Sequence, residues 1–363
     1  MCEWCSRTLR LVRDTALFAI IRAQEGRRIV KIARPYLLFL GDAHDDLAAK
    51  TASGIKDWRP DWCVGQLRLV GCKTTLGLPD LTLEEARAKG AKTLIIGVAN
   101  RGGVIGPKWA ASLLHAVELG FDLASGLHSR LDTVAGLAEA AARFGRKLHD
   151  VRHPKQEFPL GTGEKRAGKR LLTVGTDASI GKMYTTLHLE RELKKRGLKA
   201  DFRATGQTGI FIAGSGVSID AVVSDFVSGA VEWLTPASDP DHWDLIEGQG
   251  SLLHPSFAGV TLGLIHGAQP DALVLCHEPT RTHVRGLQRH PMPSLEETMT
   301  LCLATARLTN KRARFVGVSI NSSKLAPAEA QKYLAATADK LGLPTVDPVR
   351  TGVAPIADYL LKG

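Results

Sequence analysis

The sequence predicts an α/β protein with two domains, each built on an open parallel sheet that helices cover. From Pro35 onward, short apolar runs alternate with segments of helical periodicity, which is the pattern of repeated strand–helix–strand units. A stretch over 153–170, poor in apolar residues and rich in Pro, Gly, Lys and Arg, divides this pattern in two. With 363 residues, the chain is long enough for two domains of ordinary size.

The first domain is predicted over 35–152, after a basic extension over 1–34. Its predicted strands are 36–40, 63–67, 93–99, 122–125 and 147–151, and its predicted helices are 43–56, 82–89, 107–119 and 133–144. Polar or glycine residues follow three of these strands, in the segments 41–43, 100–103 and 125–128. Ligands of open parallel sheets bind at that edge, although Gly, Asn and Ser also serve in ordinary turns. Arg101 is the exception, because no turn requires a guanidinium group.

The second domain is predicted over 171–363, after a linker over 153–170. Its predicted strands are 171–174, 200–204, 245–247, 272–276 and 314–320. Within the linker, residues 163–169 have the Gly-x4-Gly-Lys spacing of a phosphate loop, but they precede a strand and open no helix. Their amides would have no helix dipole behind them, so we interpret this match as coincidence.

A second glycine-rich segment has strand, loop and helix in the order that a phosphate loop requires. Gly175-Thr-Asp-Ala-Ser-Ile-Gly-Lys182 follows the strand over 171–174 and precedes a helical pattern that stops near Gly197. The glycines allow backbone N–H groups to point inward, Lys182 adds a mobile cation, and the helix N-terminus adds its dipole. We therefore predict that this loop binds a phosphate or pyrophosphate. The residues predicted to hold it are Gly175, Thr176, Asp177, Ala178, Ser179, Ile180, Gly181, Lys182, Met183 and Tyr184.

Two details of the loop narrow the identity of its ligand. The Gly-x5-Gly-Lys spacing, the Gly-Thr-Asp start and the later segment Glu247-Gly-Gln-Gly250 resemble dethiobiotin synthetase. However, Met183 stands where a Walker loop places the Ser or Thr that holds Mg²⁺, and thioether sulfur is a poor ligand for a hard cation. Conventional metal-dependent ATP hydrolysis is therefore not expected, unless Thr185 or Asp177 compensates.

The net charge of +10 raises the question of nucleic-acid or membrane binding. Half of this excess lies in residues 1–34, which contain eight Lys or Arg and three Asp or Glu. Aromatic residues make up only 6% of the chain and no nucleic-acid-binding module is recognisable, so nucleic acid is not an expected partner. The apolar runs are too short to span a membrane, and six cysteines in a chain this long favour a reducing, cytoplasmic location.

The basic extension over 1–34 allows two interpretations. Its apolar residues are spaced loosely as one helix face, which is compatible with an amphipathic arm or a targeting peptide. We favour the alternative, an upstream extension without a role. Cys2 and Cys5 form a single Cys-x-x-Cys motif and lack the second pair that a zinc site of this type needs, so no metal is expected.

From about Pro35 to its end, the chain resembles the D-glutamate N-acetyltransferases, a family within the D-amino acid N-acetyltransferase superfamily that was long catalogued as a domain of unknown function. The resemblance lies in the segments 35–42, 97–103, 124–128, 148–154, 175–177 with 181–183, 203–209, 247–251 and 277–283. It implies an α/β fold of two domains, an N-terminal Rossmann-like parallel sheet and a C-terminal P-loop NTPase-like parallel sheet. The extension over 1–34 lies outside it.

The resemblance also implies an activity. The enzyme would move the acetyl group of acetyl-CoA to the amino group of a D-amino acid, above all D-glutamate, as a step in D-amino acid catabolism. Acetyl-CoA would be the cosubstrate, with its pyrophosphate on the loop, and thioester aminolysis needs no metal. The expected partner is a small amino acid, with neither nucleic acid nor membrane, and a homodimer is the expected assembly.

The chemistry of this reaction selects candidate side chains at the predicted strand ends. The two carboxylates of D-glutamate call for guanidinium or ammonium groups, and the arginine candidates are Arg101, Arg203, Arg281 and Arg285. Gln207 is a further substrate-binding candidate. A base must take the ammonium proton, and the candidates are Glu247, His277 and Glu278. We interpret His254 and His283 as ordinary loop histidines.

Two other functions stay open on the sequence. The Gly-Thr-Asp loop favours an ATP-dependent ligase or kinase of the dethiobiotin synthetase type, which Met183 opposes. A non-catalytic protein that binds a nucleotide would use the same loop. Binding of acetyl-CoA or of ATP distinguishes these alternatives.

Overall fold

The computed structural model describes residues 32–46, 48–98, 103–154 and 156–362. Most of the basic extension, with Cys2 and Cys5, and the substrate-binding candidate Arg101 lie outside the described residues. Within the described part, none of the helices is long and apolar enough to cross a membrane.

The first domain is a parallel five-stranded sheet with helices between successive strands. Its strands are β1 (Tyr36–Gly41), β2 (Cys63–Arg68), β3 (Thr93–Ile96), β4 (Asp122–Ser125) and β5 (Leu148–Asp150), and its helices are α1 (Lys50–Trp58), α2 (Leu83–Ala88), α3 (Pro107–Glu118) and α4 (Leu137–Arg143). The strand order is β2-β1-β3-β4-β5, and every pair is parallel. The chain reverses its direction of progress between β1 and β3, which is where ligands bind in sheets of this order.

The second domain is a parallel six-stranded sheet. Its strands are β6 (Lys169–Gly175), β7 (Ala200–Arg203), β8 (Trp243–Ile246), β9 (Ala272–His277), β10 (Arg314–Ile320) and β11 (Thr345–Val346). Its helices are α5 (Lys182–Lys195), α6 (Gln207–Ala213), α7 (Val227–Leu234), α8 (Ala258–Ala268), α9 (Leu295–Ala306), α10 (Pro327–Leu341) and α11 (Ala354–Leu361). The order β11-β10-β9-β6-β8-β7 places β6 at the centre, with β8 on one side and β9 on the other. The predicted fold class is therefore confirmed.

Several element boundaries differ from the sequence prediction for local reasons. The helix predicted from 43 begins only at Lys50, after turns in which Asp45 accepts a hydrogen bond from the Ala48 amide. The helix predicted from 133 begins at Leu137, because Gly136 before it is left-handed, with φ of 76°. Strand β6 begins at Lys169, so the last two residues assigned to the linker belong to the sheet. The two-residue strand β11 was missed, since two residues carry no periodicity.

Hydrogen bonds attach the linker to the second domain. The Thr162 and Gly163 amides donate to the Glu232 carboxylate, and the Lys165 ammonium donates to Asp271 at 2.9 Å. These contacts lie beside the first residues of the strands, at the edge of the sheet opposite to the loop after β6. Of the basic linker residues, Lys165, Arg166 and Arg170 are therefore paired with carboxylates of the second domain.

An apolar cluster joins the two domains. Helix α1 of the first domain packs on α6 of the second, and buried side chains from both, including Ile55 and Phe211, belong to this cluster. Met183 packs at its edge, where a Cβ added at Gly54 of α1 would lie 3.5 Å from the Met183 Cε atom. This contact gives a packing reason for an apolar residue at a position that Walker loops fill with Ser or Thr.

Candidate active site

The site lies where the carboxyl ends of β6, β8 and β9 meet. The chain leaves β6 at Gly175, forms the loop over 176–181 and enters α5 at Lys182. The chain runs from β6 to β7 and β8 on one side of the sheet and then crosses to β9 on the other side. Open parallel sheets bind ligands in the crevice beyond the strand ends at such a point, and we use the word crevice for this place. The first-turn amides of α5 have no intrahelical acceptor and point toward this crevice.

The loop has the backbone conformation of an anion cradle. Ser179 and Gly181 are left-handed, with φ of 53° and 107°. Such residues, alternating with ordinary ones, turn successive N–H groups toward the same side. At Gly175, a Cβ would lie 2.5 Å from the Ile180 Cδ1 atom and 3.1 Å from the Cys276 carbonyl oxygen, so glycine lets the loop pack closely on the end of β6. The predicted phosphate loop thus has the structure that its sequence indicated.

Lys182 lies folded into the loop. Its side chain is only 5% exposed, and its Nζ atom donates to the backbone carbonyls of Asp177 at 2.7 Å and Gly250 at 2.8 Å. Burial lowers the pKa of this ammonium to about 8. Two neutral carbonyls compensate a buried cation incompletely, so an anionic ligand in the crevice would supply the missing charge.

The flank of the loop formed by the end of β8 contains a buried carboxylate. Glu247 is 5% exposed, and its Oε2 atom accepts hydrogen bonds from the amides of Thr205 at 2.9 Å and Gly206 at 3.1 Å. Burial raises the pKa of Glu247 to about 7, against the effect of these N–H donors. Its neighbours must be small: a Cβ at Gly209 would lie 2.3 Å from Oε2, and one at Gly248 would lie 1.8 Å from the Thr173 carbonyl oxygen.

The flank formed by the end of β9 contains the other two base candidates. The His277 Nδ1 atom is 2.9 Å from the Thr176 hydroxyl, and burial lowers the pKa of the imidazole to about 4. Glu278 accepts hydrogen bonds from Thr280 at 2.6 Å and from the Lys324 ammonium at 2.9 Å. Burial alone would raise the pKa of Glu278, but these donors and the nearby cations outweigh it and lower the pKa. Neither side chain is therefore suited to accept a proton near neutral pH.

Arg281, predicted to bind substrate, instead holds the loop from outside. Its guanidinium donates to the Asp177 carboxylate at 2.8 Å and to the carbonyls of Ala178 and Ser179, both at 2.7 Å. Its Nε atom donates to Glu278. With its donors directed to the loop in this way, Arg281 keeps the loop carbonyls turned away from the crevice. This arrangement replaces our expectation of a substrate contact.

Arg203, another predicted substrate residue, is likewise paired inside the protein. Its Nε atom donates to Asp244 at 2.6 Å, and its guanidinium lies 3.8 Å from Asp201. Both carboxylates belong to the strands β7 and β8 at positions before their carboxyl ends. The Arg203 side chain therefore runs back along the sheet, away from the crevice. The sequence could not reveal this, because a carboxylate on the neighbouring strand, far along the chain, decides it.

Gln207 lies at the boundary between the domains. The Gln207 Oε1 atom accepts a hydrogen bond from Arg152 at 2.6 Å. A Cβ added at Gly126 of the first domain would lie 2.6 Å from the Gln207 Cβ atom. Arg152, which was not among the predicted site residues, also donates to Asp220, and its buried Nε atom has no partner in the part of the chain that the structure describes. Its place in the family-like segment 148–154 was the only signal for it. Of the cofactor-binding candidates, Tyr184 points away from the loop and donates to Asp57 of α1 at 2.7 Å.

The described residues offer no metal site at the loop. No group of three or more His, Cys, Asp or Glu side chains suited to a metal ion occurs among them. The two groups that we considered as substitutes for a Walker hydroxyl are occupied, since Thr185 bonds to Ser319 at 2.7 Å and Asp177 accepts from Arg281 and from the Arg285 amide.

Comparison with known proteins agrees with this architecture. Residues 159–357 match the DUF1611 domain of unknown function, described as a P-loop domain, and residues 67–154 match its Rossmann-like N-terminal domain. A protein named D-glutamate N-acetyltransferase from Tritonibacter scottomollicae is 57% identical over 91% of this chain and 99% of its own length. One of the same name from a Pseudoalteromonas species is 49% identical over 91% of this chain and 100% of its own.

A crystal structure supports the same grouping. A DUF1611-family protein from Anabaena variabilis ATCC 29413 superposes with a TM-score of 0.82 at 31% identity, covering 91% of this chain and 100% of that one. The family resemblance found in the sequence is therefore confirmed. The chain belongs to the DUF1611 family, with its Rossmann-like N-terminal domain and P-loop C-terminal domain.

Proposed function

We propose that this protein is a D-glutamate N-acetyltransferase that uses acetyl-CoA. D-glutamate is proposed as the acetyl acceptor because the chain is 57% identical to a protein of that name over 99% of that protein's length. The donor is our inference from the site. Transfer of an acetyl group to an amine requires a bound thioester and a base, and the site offers the loop with Lys182 for the first and Glu247 for the second.

The loop supports a CoA ester as the donor. Its inward amides and the Lys182 ammonium suit the pyrophosphate of CoA, which would provide the buried cation with a counter-charge. A thioester is reactive enough toward an amine without a Lewis acid, so Met183 at the Walker position is compatible with the reaction. Met183 can therefore pack at the cluster between the domains, because the proposed reaction needs no metal ligand at this position.

Glu247 is the best base candidate. Its pKa, raised to about 7 by burial, allows the carboxylate to accept a proton at neutral pH and to release it again. The His277 imidazole is too weak a base, because its pKa is lowered to about 4, and Glu278 is ion-paired. In the proposed step, Glu247 takes one proton from the ammonium group of D-glutamate. The free amine forms a C–N bond to the acetyl carbon, the C–S bond breaks, and the departing thiolate takes the second proton that the nitrogen loses.

We place the amino acid at the boundary between the domains. Arg152 and Gln207 come together there. Arg152 is paired with Asp220, but its buried Nε atom has no hydrogen-bond partner among the described residues and is the donor left for a ligand. A guanidinium group in this setting can pair with a carboxylate of the substrate. Arg101 stays a prediction, since it lies outside the described residues.

The proposed function is tested with the purified full chain. Thiol release from acetyl-CoA is measured with D-glutamate and, as the matched control, with L-glutamate. We expect Lys182→Ala to lower kcat/KM by at least about a hundredfold with unchanged circular dichroism, because the loop loses its cation. Calorimetry with acetyl-CoA and, separately, with MgATP identifies the phosphate ligand. Binding of ATP alone, or unchanged turnover of Lys182→Ala, would contradict the proposal.

A further inference from the structure

The segment after β9 forms a basic strap over residues 281–292, beside the phosphate loop. It contains three arginines and two histidines, namely Arg281, His283, Arg285, Arg289 and His290. Between Glu278 and Glu296 the sequence has no acidic residue. Arg281 is paired with Asp177 and Glu278, but within the described residues Arg285 and Arg289 make no ion pair, so they give this side of the loop a positive charge.

The strap is fastened to the loop at its middle. The Arg285 amide donates to the Asp177 Oδ2 atom at 2.9 Å, and the Arg285 carbonyl is 3.2 Å from the Nε2 atom of buried His254. The His254 Nδ1 atom accepts from the Ser256 amide, so Nε2 carries the proton and donates to that carbonyl. Asp177 also offers its own carbonyl to Lys182. A single residue thus links the loop lysine to the backbone of Arg285.

The Arg285 side chain itself has no protein partner among the described residues. It is exposed, and within that part of the chain its guanidinium makes no ion pair or hydrogen bond, whereas Arg281 four residues earlier is fully engaged. Its backbone is fixed from both sides next to the loop, so the exposed guanidinium is positioned to contact a ligand of that loop. Fixing its main chain also lowers the entropy cost of such a contact.

A second cation faces this position from the other domain. Lys50 begins α1, and its neighbour Thr51 accepts a hydrogen bond from Thr208 of α6, which places the start of α1 at the crevice. The Lys50 ammonium likewise has no partner in the ranges that the structure describes. Lys50 is exposed at the surface, yet desolvation by its surroundings lowers the pKa of its ammonium, and the positive charges of Arg285 and then Arg152 lower it further, so these cations lie within electrostatic reach.

We propose that Arg285 and Lys50 form a second phosphate subsite, which takes the 3′-phosphate of CoA. This inference rests on the proposed use of acetyl-CoA. The 3′-phosphate sits on the ribose that follows the pyrophosphate, and Arg285 is joined through Asp177 to the lysine that would hold the pyrophosphate. ATP and dephospho-CoA lack this group, so the subsite would select CoA esters from other ligands of a phosphate loop.

Calorimetric titration with CoA and with dephospho-CoA tests this subsite. We expect the full-length protein to bind CoA about tenfold more tightly than dephospho-CoA, the effect of one charge-assisted contact. Arg285→Ala should remove that difference by weakening only CoA binding, and Lys50→Ala should reduce it. Arg312→Ala is the matched control, because it removes an exposed arginine two residues before β10, at the opposite edge of the sheet.

Each result decides between the subsite and the proposed function. Equal affinity of the native protein for both ligands would overturn the subsite while leaving acetyl-CoA as the donor. The subsite is also overturned if Arg285→Ala weakens both ligands alike, or if it raises only the KM for D-glutamate. If neither ligand binds, both proposals fail. If CoA is preferred but D-glutamate is not acetylated, the subsite stands and the proposed acceptor fails.

Discussion

The two flanks of the phosphate loop contain the same kind of residue in opposite electrostatic settings. At the end of β8, Glu247 is buried against two backbone N–H groups, and the pKa of its carboxyl rises to about 7. At the end of β9, Glu278 accepts hydrogen bonds from Lys324 and Arg281, and its pKa falls. Both are acids directly after a buried strand, so their positions in the sequence are equivalent.

The difference shows that neighbouring charges decide whether a carboxylate can exchange protons or only holds its partners in place. A carboxylate without an ion pair can exchange a proton near neutral pH, whereas one bound to two cations stays ionised and holds its partners in place. We therefore propose the β8 flank as the reactive side of the loop. The β9 flank, through Arg281 and Asp177, fixes the shape of the loop.

The largest expected effect separates the two glutamates directly. Glu247→Gln keeps an oxygen that can accept from Thr205 and Gly206 but cannot take a proton, so kcat should fall by about 10²- to 10⁴-fold. KM for acetyl-CoA should change little. Glu278→Gln is the matched control, and its kcat should stay within a few-fold of the native value. Steady-state kinetics on both variants measures this, and equal losses would erase the distinction.

A smaller effect is expected from loosening the supporting flank. Arg281→Ala removes the donors that orient the carbonyls of Ala178 and Ser179, so KM for acetyl-CoA should rise by about ten- to a hundredfold with a lesser change in kcat. Arg281→Lys can keep one of these contacts and should recover part of the loss. A fall in kcat alone would assign Arg281 to the reaction itself.

The pH dependence of the rate should follow Glu247. With a pKa of about 7, kcat/KM should rise about tenfold between pH 6 and pH 8 as the carboxyl loses its proton. The same rise in Glu278→Gln, and its absence from the residual activity of Glu247→Gln, would assign it to the β8 flank. A rise that follows Glu278 would reverse the comparison.

The contribution of Glu247 to the free energy of unfolding should fall as pH rises, whereas its contribution to the rate should increase. The folded-state pKa of Glu247 is raised above its ordinary 4.5, so the folded protein binds more protons between these values. This contribution to the free energy of unfolding is complete below about pH 4.5 and is lost as pH rises through about 7. Glu247→Gln should remove that slope in denaturant titrations, and an unchanged slope would show that other groups produce it.

Removal of divalent metal is expected to have no effect on the rate. Because Met183 replaces the Walker hydroxyl and Asp177 and Thr185 are occupied, removing divalent metal with EDTA should leave the rate of acetyl transfer unchanged. Addition of Mg²⁺ after dialysis provides the control. A strict requirement for Mg²⁺ would revive the ATP-dependent alternative.

Much of the fold could be predicted from the sequence because it depends on local patterns. The strands β4 and β10 begin and end as predicted, and the loop before α5 follows from its glycines. Boundaries near turns were less accurate, as at Lys50, where a side-chain hydrogen bond from another residue sets the start of a helix-forming segment. The candidate bases Glu247, His277 and Glu278 are all at the strand ends where the sequence placed them.

The sequence by itself determined the alternation of strands and helices, the phosphate loop and the unusual Met183, since each depends on residue type at fixed spacing. Only the tertiary structure decided which charges are paired. Arg203 and Arg281 are bound to Asp244 and Asp177 from other strands and loops, and Arg152 meets Gln207 across the domain boundary. Electrostatic pairing acts over a few ångströms between segments that lie far apart in the chain, so the availability of a cation for a ligand is fixed by folding.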